Sequence, residues 1–378
     1  MKLLHTSDWH LGASEIDRSL KDDQFFFINE ICRIIKEEQV GGVIVAGDVF
    51  DRSVSSAEAI TLYDHAVTRI CRDLGVPMML IAGNHDSAER LSSCSELLAL
   101  AGLHIVGSLE REPRIVPLDD AEIFFLPWIT EEKVKSVYPE EKDNIQSIED
   151  AYRAVVSKYR EHFAEGKRHI LIAHAFITNA ETSTSDRAAE IGFATQVSAS
   201  VFEGFDYVAL GHIHKPQDVT GRIRYSGTPM AFSFGKEEKQ EKSVTIIDTA
   251  DMSRKTIKLP LLHRWTTITG TLDEVLHPEY DDDIVNGYVR VRVTDSYLGL
   301  EALSELRTVY PNCVDAKGKM YDVEGSSVTL TIEELEAIET DPAAVFKHFC
   351  REETDVEPDE HLISLFKDAI ENAEEAEQ

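Results

Sequence analysis

Only five of the 378 residues are cysteine (Cys32, Cys71, Cys94, Cys313, Cys350), and no two of them form a CxxC. That scarcity excludes a disulfide framework and a cysteine zinc site, and it points to a reducing cytoplasm. Long apolar runs are missing as well. Lys2 is followed by only two leucines before polar residues begin, far short of the apolar core of a signal peptide, and no segment approaches a membrane span. There is no internal repeat and no collagen-like, Gln-rich or Gly/Ser-rich tract. Basic residues are in short supply: 38 Lys and Arg stand against 69 Asp and Glu, a net charge of −31. A surface of that average sign repels nucleic acid. Divalent cations gathered in a cleft would reverse the sign locally.

What remains is an ordinary globular composition, 43% hydrophobic, with enough chain for two domains. Over the first ~250 residues short β-rich runs alternate with amphipathic stretches, the pattern of strand–helix–strand units in a layered α/β fold. Strands are expected at Lys2–Thr6, Gly42–Ala46, Pro77–Ala82, His169–Ala173 and Tyr207–Leu210. Helices are expected at Leu20–Glu38, Ala57–Leu74, Ala88–Ala101 and Ile148–Phe163. The strands are almost continuously apolar, as they must be when both faces of a sheet are covered. Hairpin-like strands follow between Ile223 and Leu259. A linker rich in Pro, Asp, Asn and Gly is expected at His277–Gly287. After it come the alternating strand Tyr288–Val293 and a helix at Leu300–Val309. The expected organisation is a first domain over residues 1–270, a small α+β domain over 271–332 and an acidic helical segment over 333–378. Between Thr331 and Gln378 there are 16 acids and 3 bases.

Five short motifs carry the chemistry. They are Asp8-Trp9-His10, "GDVFD" at Gly47–Asp51, "GNHD" at Gly83–Asp86, His174 in "IAHAF", and "GHIH" at Gly211–His214. Singly they are weak: an Asp–His pair is common at a strand end, and Gly-Asn-His-Asp makes a good turn. Together each sits just past the carboxyl end of an expected strand, the edge of an α/β sheet where ligands gather. Asp8, His10, Asp48, Asn84, His174, His212 and His214 supply seven oxygen and nitrogen donors and no sulfur. Seven exceed the needs of one tetrahedral ion and suit two ions of higher coordination, with Asp48 as the bridging carboxylate. Mixed imidazole and carboxylate donors favour manganese, iron or zinc over magnesium. Two such ions ~3.5–4 Å apart polarise a phosphoryl oxygen and lower the pKa of a bound water. Their four positive charges against two aspartates keep the site attractive to a phosphodiester.

In this order the five motifs resemble the calcineurin-like metallophosphoesterases. Longer stretches, "LLHTSDWHLG", "AGDVFDRS", "IAGNHDSAERLS", "VALGHIHKPQ" and "YSGTPMAFSFGKEEKQEKSVTIID", resemble its SbcD-type branch, the nuclease subunits of bacterial SbcCD complexes. The resemblance continues through "HRWTTITGTLDEVL" and "GYVRVRVTDSYLGLEALSELRTVYPNC". It implies a sandwich of mixed sheets flanked by helices, a small α+β capping domain and a helical tail. It further implies two Mn²⁺ ions, one held by Asp8, His10, Asp48 and His214, the other by Asp48, Asn84, His174 and His212. His85 is implied to lie against the scissile phosphate and protonate the leaving oxygen, with Asp51 and Asp86 orienting ligand histidines. The implied activity is a double-strand 3′–5′ exonuclease and single-strand endonuclease acting on DNA ends and hairpins in repair, recombination and replication. The implied state is cytoplasmic and nucleoid-associated, a homodimer within a heterotetramer with an SMC-like, SbcC-type ATPase, and away from any membrane. The motifs alone leave open a phosphodiesterase or phosphatase on a small nucleotide, or a non-catalytic tether of DNA ends. The tail is expected to start a helix at Asp341-Pro342. Leu362, Leu365, Phe366, Ala369 and Ile370 then form an amphipathic stripe, and the resemblance assigns that stripe to docking on the ATPase coiled coil.

Overall fold

The computed structural model describes residues 1–15, 18–186, 196–295, 298, 300–318, 362, 363 and 366. Two six-stranded mixed sheets form the first of two compact units, which comprises Met1–Thr267, Glu279–Arg290 and Tyr310–Val314. One sheet runs Arg254–Lys258, Ser243–Asp248, Lys2–Thr6, Gly42–Ala46, Met78–Ile81, Leu103–Val106. Its last four strands are parallel, and Lys2–Thr6 pairs antiparallel with Ser243–Asp248. The other runs Gln217–Asp218, Ile223–Tyr225, Tyr207–Gly211, Arg168–His174, Ala121–Leu126, Ile115–Leu118.

The apolar strand sequences follow from this layering. Side chains alternate across a strand, so Leu3, Ile44, Ala46, Met79 and Ile81 of one sheet meet Ile123, Phe125, Ile170, Ile172 and Ala209 of the other in a shared core. Their neighbours Leu4, Val43, Val45, Met78 and Leu80 face outward and pack with Ile28, Ile31, Ile35 and Leu62 of two helices. On the far side Phe124, Leu171, Val208 and Leu210 pack with Tyr152, Val155 and Tyr159. Both faces of the inner strands are therefore dry, and alternation disappears from their sequences. Ser56 caps the helix Ala57–Val67 through a hydrogen bond from Ala59 N, and Ser147 caps Ile148–Arg160 from Asp150 N.

Several expected boundaries move. The helix from Ala57 continues past Val67 as a wider π turn, Thr68–Asp73. The expected helix Ala88–Ala101 is two pieces, Ala88–Leu91 and Ser95–Ala99. Ser92 turns its hydroxyl back on the Ala88 carbonyl, and Cys94 takes a left-handed φ of 59°. Short polar side chains that bond their own backbone break a helix in this way. The stretch read as a linker contains a short helix, Asp282–Val285, opened by Asp281.

The second compact unit comprises Ile268–Pro278, Val291–Val309 and the described residues from Asp315 onward. In it the helix Leu272–Leu276 opens on a capping box between Thr271 and Glu274, and a second helix spans Leu300–Val309, as expected. The expected helix at Asp341 and most of the amphipathic stripe lie outside the described residues. Leu362, Ile363 and Phe366 are helical. Among the described residues no helix is long and apolar enough to cross a membrane.

Candidate metal centre

Asp8 follows the strand Lys2–Thr6, Asp48 follows Gly42–Ala46, and Asn84 follows Met78–Ile81. From the other sheet, His174 ends the strand Arg168–His174, while His212 and His214 follow Tyr207–Gly211. Six donors thus leave the carboxyl ends of five strands belonging to two sheets, and His10 joins them two residues beyond Asp8. The loops approach so closely that side chains are excluded between them. A Cβ on Gly83 would stand 2.1 Å from Asp48 Oδ1, and one on Gly211 would stand 1.9 Å from the Ala46 carbonyl oxygen. The glycines of "GNHD" and "GHIH" permit that approach. Asp8, His10, Asp48 and His212 all hold positive φ, at 51°, 43°, 48° and 103°. Non-glycine residues persist there only where surroundings over-determine them, commonly at functional sites. The surroundings here include Asp8 N on the Gly47 carbonyl and His10 N on the Asp48 carbonyl, each at 3.0 Å.

Asp48 is the centre of the cluster. Its Oδ2 lies 3.4 Å from His174 Nε2, 3.9 Å from His10 Nε2 and 4.0 Å from His85 Nε2. Asn84 Oδ1 is 2.9 Å from His174 Nε2 and 3.1 Å from His212 Nδ1. On the other side His10 Nε2 and His214 Nε2 approach to 3.2 Å. Asp8, Asp48 and His174 can gather around one ion, as can Asp8, His10 and His214.

Several contacts fit a cation better than they fit hydrogen bonding alone. The Ala46 carbonyl takes the Nδ1 proton of His174 at 2.8 Å, while Nε2 of the same ring faces only oxygen atoms of Asn84 and Asp48. Without a proton or a metal ion at Nε2, lone pair would meet lone pair. Asn84 Nδ2 and His10 Nδ1 are buried with no hydrogen-bond partner among the described residues. Burial, the largest influence, drives His10 and His212 down to about 3 and His214 well below the usual histidine range. Neutral imidazole is the form that ligates metal. Burial raises the Asp8 carboxyl to about 8, with the charge of Asp48 adding to it. Desolvation opposes charge on Asp48 and on His174. Their mutual attraction prevails, holding Asp48 well below its usual value and lifting His174 to about 9. A divalent cation would do for both carboxylates what the His174 proton does for one.

His85 and the two remaining acids divide differently from expectation. Asp51 Oδ1 lies 3.7 Å from His10 Nδ1, and its backbone carbonyl accepts from His85 Nδ1 at 2.9 Å. Asp86, expected to orient a ligand histidine, does something else. Its oxygens accept the backbone N–H groups of Val49, Phe50 and Gly83, at 3.1, 2.9 and 2.9 Å. Three amides point at one half-buried carboxylate, so Asp86 ties the "GDVFD" loop to the "GNHD" loop. A cleft of ≈ 220 Å³ opens beside the cluster, with Glu15, His85, Ser185 and Phe232 in its wall.

The sequence reading missed four side chains. Trp128 stacks on His212 with ring centroids 5.2 Å apart. Ser7 donates to Asp8 Oδ2 at 2.5 Å. Ser185 and the buried Glu237 reach His214 from behind. A lone tryptophan, two serines and a glutamate inside a charge run carry no spacing that marks them.

A fold with two mixed sheets, whose strand ends converge on a nitrogen and oxygen donor cluster, defines a metal-dependent hydrolase of phosphoester bonds. The chain belongs to the calcineurin-like phosphoesterases, whose family profile matches residues 1–216. Over nearly its whole length it is similar to the SbcD subunit of the SbcCD nuclease of Staphylococcus epidermidis. The two are 27% identical over 374 residues, 98% of this chain and 97% of that one. Among solved structures, TT1561 of Thermus thermophilus has a TM-score of 0.37 at 10% identity, covering 68% of this chain and 99% of its own. Yfce, a phosphoesterase from E. coli, has a TM-score of 0.27 at 13% identity, covering 69% and 100%.

Proposed function

We propose that this chain is the nuclease subunit of an SbcCD-type complex, a two-metal, manganese-dependent enzyme that hydrolyses DNA phosphodiesters at ends and hairpins. The observation that carries the reading is the convergence of seven nitrogen and oxygen donors, Asp48 at their centre, in a chain similar to an SbcD protein over 98% of its length. In this reading Asp8, His10, Asp48 and His214 hold one ion, and Asp48, Asn84, His174 and His212 the other. When bound, the ions supply Lewis acidity and a water of lowered pKa. Asp48 keeps the two sites together, His174 and His214 present Nε2, and His85 delivers a proton to the departing oxygen. The domains expected at residues 1–270, 271–332 and 333–378 serve as nuclease, cap and ATPase-docking tail. The chain acts as a dimer in DNA repair and recombination, in the bacterial cytoplasm near the nucleoid. The purified chain, alone and with its ATPase, is to be offered hairpin, duplex and single-stranded DNA in Mn²⁺. Hydrolysis of small nucleotides but of none of these DNAs would favour the small-nucleotide phosphodiesterase. Full metal loading with no hydrolysis of any diester would favour the tether.

The cleft wall carries Glu15, Asp48, Asp51 and Asp186, and the chain is strongly acidic overall. Stripped of metal, such a surface repels phosphate. The isolated chain is therefore expected to bind duplex DNA poorly in EDTA, and metal-dependent binding is expected to weaken steeply with salt. Nanomolar binding by the lone chain in EDTA at physiological ionic strength contradicts this.

Deleting residues 341–378 is expected to leave metal content and hydrolysis of bis-p-nitrophenyl phosphate intact while abolishing co-purification with the ATPase. An amphipathic stripe with acidic flanks suits a basic coiled-coil groove, with the charge raising the on-rate more than the affinity. A truncated chain that still retains the ATPase at full strength, or that no longer folds, rules out the docking tail.

A further inference from the structure

Glu237 stands in a run of charges, Gly235-Lys236-Glu237-Glu238-Lys239, that reads as solvated surface. Lys236 beside it is exposed, yet Glu237 is 1% exposed and Lys242 is 2% exposed. The two pair at 3.2 Å, and Lys242 also donates to Thr228 Oγ1 at 2.8 Å. Glu237 Oε2 further accepts from Phe232 N at 2.9 Å, while Oε1 accepts from Ser185 N at 3.3 Å, from the Ser185 hydroxyl, and from Ser233 Oγ at 3.4 Å. A buried ion pair is weak evidence for stability, because desolvation offsets most of the attraction. What this pair touches gives it another use.

Ser185 Oγ lies 2.5 Å from His214 Nδ1 as well as against Glu237 Oε1. A serine hydroxyl has a single proton to give. The carboxylate, paired with Lys242, has none, so the serine proton goes to Glu237 and Oγ is left as an acceptor towards His214. His214 must then carry its proton on Nδ1, which leaves the Nε2 lone pair facing His10 Nε2 at 3.2 Å and the donor cluster. Asp186 Oδ1 fixes the backbone of the same residue by accepting from His214 N at 3.0 Å. The Glu237 carboxylate also anchors the peptide of Phe232, whose ring packs edge-on against His10 at 5.4 Å in the cleft wall.

We infer that Ser185 and Glu237 are positioning residues for the metal centre. They form a relay, His214 Nδ1–H to Ser185 Oγ–H to Glu237 Oε1, that selects the tautomer in which Nε2 of His214 ligates a divalent cation. Neither is among the seven proposed ligands. The inference rests on His214 being a ligand, as the proposed function has it. Partners of this kind typically contribute a factor of ~10–100 in metal affinity or activity.

The test is Mn²⁺ titration of the metal-stripped full-length chain by calorimetry, with metal per chain counted by elemental analysis. Ser185→Ala removes the hydroxyl of the relay and leaves both charges of the buried Glu237–Lys242 pair in place. It is expected to weaken Mn²⁺ binding ~10–100-fold at one site, to leave the thermal midpoint of the stripped protein unchanged, and to regain turnover of bis-p-nitrophenyl phosphate at saturating Mn²⁺. Ser185→Thr, which keeps the hydroxyl, is expected to restore affinity. Glu237→Met combined with Lys242→Met removes the acceptor of the Ser185 proton and strands no buried charge, and it is expected to reproduce the Ser185→Ala loss. Wild-type affinity in Ser185→Ala, or no rescue by Ser185→Thr, overturns the relay. The relay is read from the difference between wild type and variant at whatever stoichiometry the wild type shows. A wild type that hydrolyses the diester with fewer than two ions therefore overturns the two-metal reading separately.

Discussion

Asp48→Asn is expected to lose both metal ions and nearly all hydrolysis while keeping the fold. The substitution conserves volume, and an amide oxygen can still accept from His85 N, now 2.9 Å from Asp48 Oδ1. It removes the one negative charge that Nε2 of His10, His85 and His174 all approach within 4.0 Å. With Asp48 neutral, Asp8 is the only carboxylate left among the seven donors. Lewis-acid stabilisation is worth several kcal/mol, and each ~1.4 kcal/mol is tenfold in rate, so a loss of about a thousandfold or more is expected. Elemental analysis, circular dichroism and cleavage of a labelled DNA hairpin check it together. A folded, metal-free Asp48→Asn protein confirms the bridge. A fully active one ends the two-metal reading.

The candidate donor set was legible in the sequence because metal chemistry restricts residue type as well as spacing. Asp, Asn and His placed after apolar strands have few other joint uses, and the strands Lys2–Thr6 and Gly42–Ala46 run over the residues their apolar character marks. The strands that escaped notice are of another kind. Ile115–Leu118 contains Pro117 and forms a sheet edge, and Ala121–Leu126 begins after the pair Asp119-Asp120. Proline and paired aspartates read as a turn, and only pairing with Arg168–His174 reveals the strand. Asp86 illustrates the limit inside the site itself. Its place in "GNHD" is plain, but its work is set by three backbone amides brought in from two loops. Glu237 lies further out of reach. Whether a glutamate in a lysine-rich run faces water or a buried lysine depends on the path of the chain around it, and nothing local in the sequence records that path. Residue type thus marks the candidate metal ligands, whereas the groups that hold those candidates in place emerge only from packing.

His85 tests the proton side of the reaction independently of the metals. Its Nδ1–H is committed to the Asp51 carbonyl at 2.9 Å, its ring stands edge-on to His10 at 4.7 Å, and Nε2 lies 4.0 Å from Asp48 Oδ2 in the cleft wall. A ring held by its Nδ1 turns Nε2 to the cleft, the orientation a proton donor to the leaving oxygen requires. His85→Gln retains much of the size and a donor, and it leaves the seven proposed ligands untouched, so Mn²⁺ content is expected to stay at the wild-type level. Turnover on DNA is expected to fall ~10²–10⁴-fold, the usual contribution of a general acid. The size of the loss depends on the leaving group. A deoxyribose alkoxide needs its proton as the bond breaks, while p-nitrophenolate leaves readily without one. Hydrolysis of bis-p-nitrophenyl phosphate by His85→Gln is therefore expected to fall much less than cleavage of DNA, measured with the same protein in the same buffer. Equal losses on both substrates would show that His85 binds or orients the phosphate rather than protonating what leaves it. A loss of Mn²⁺ would place His85 among the ligands, grouped with His10 and Asp51, whose donor atoms lie close enough to share an ion with it.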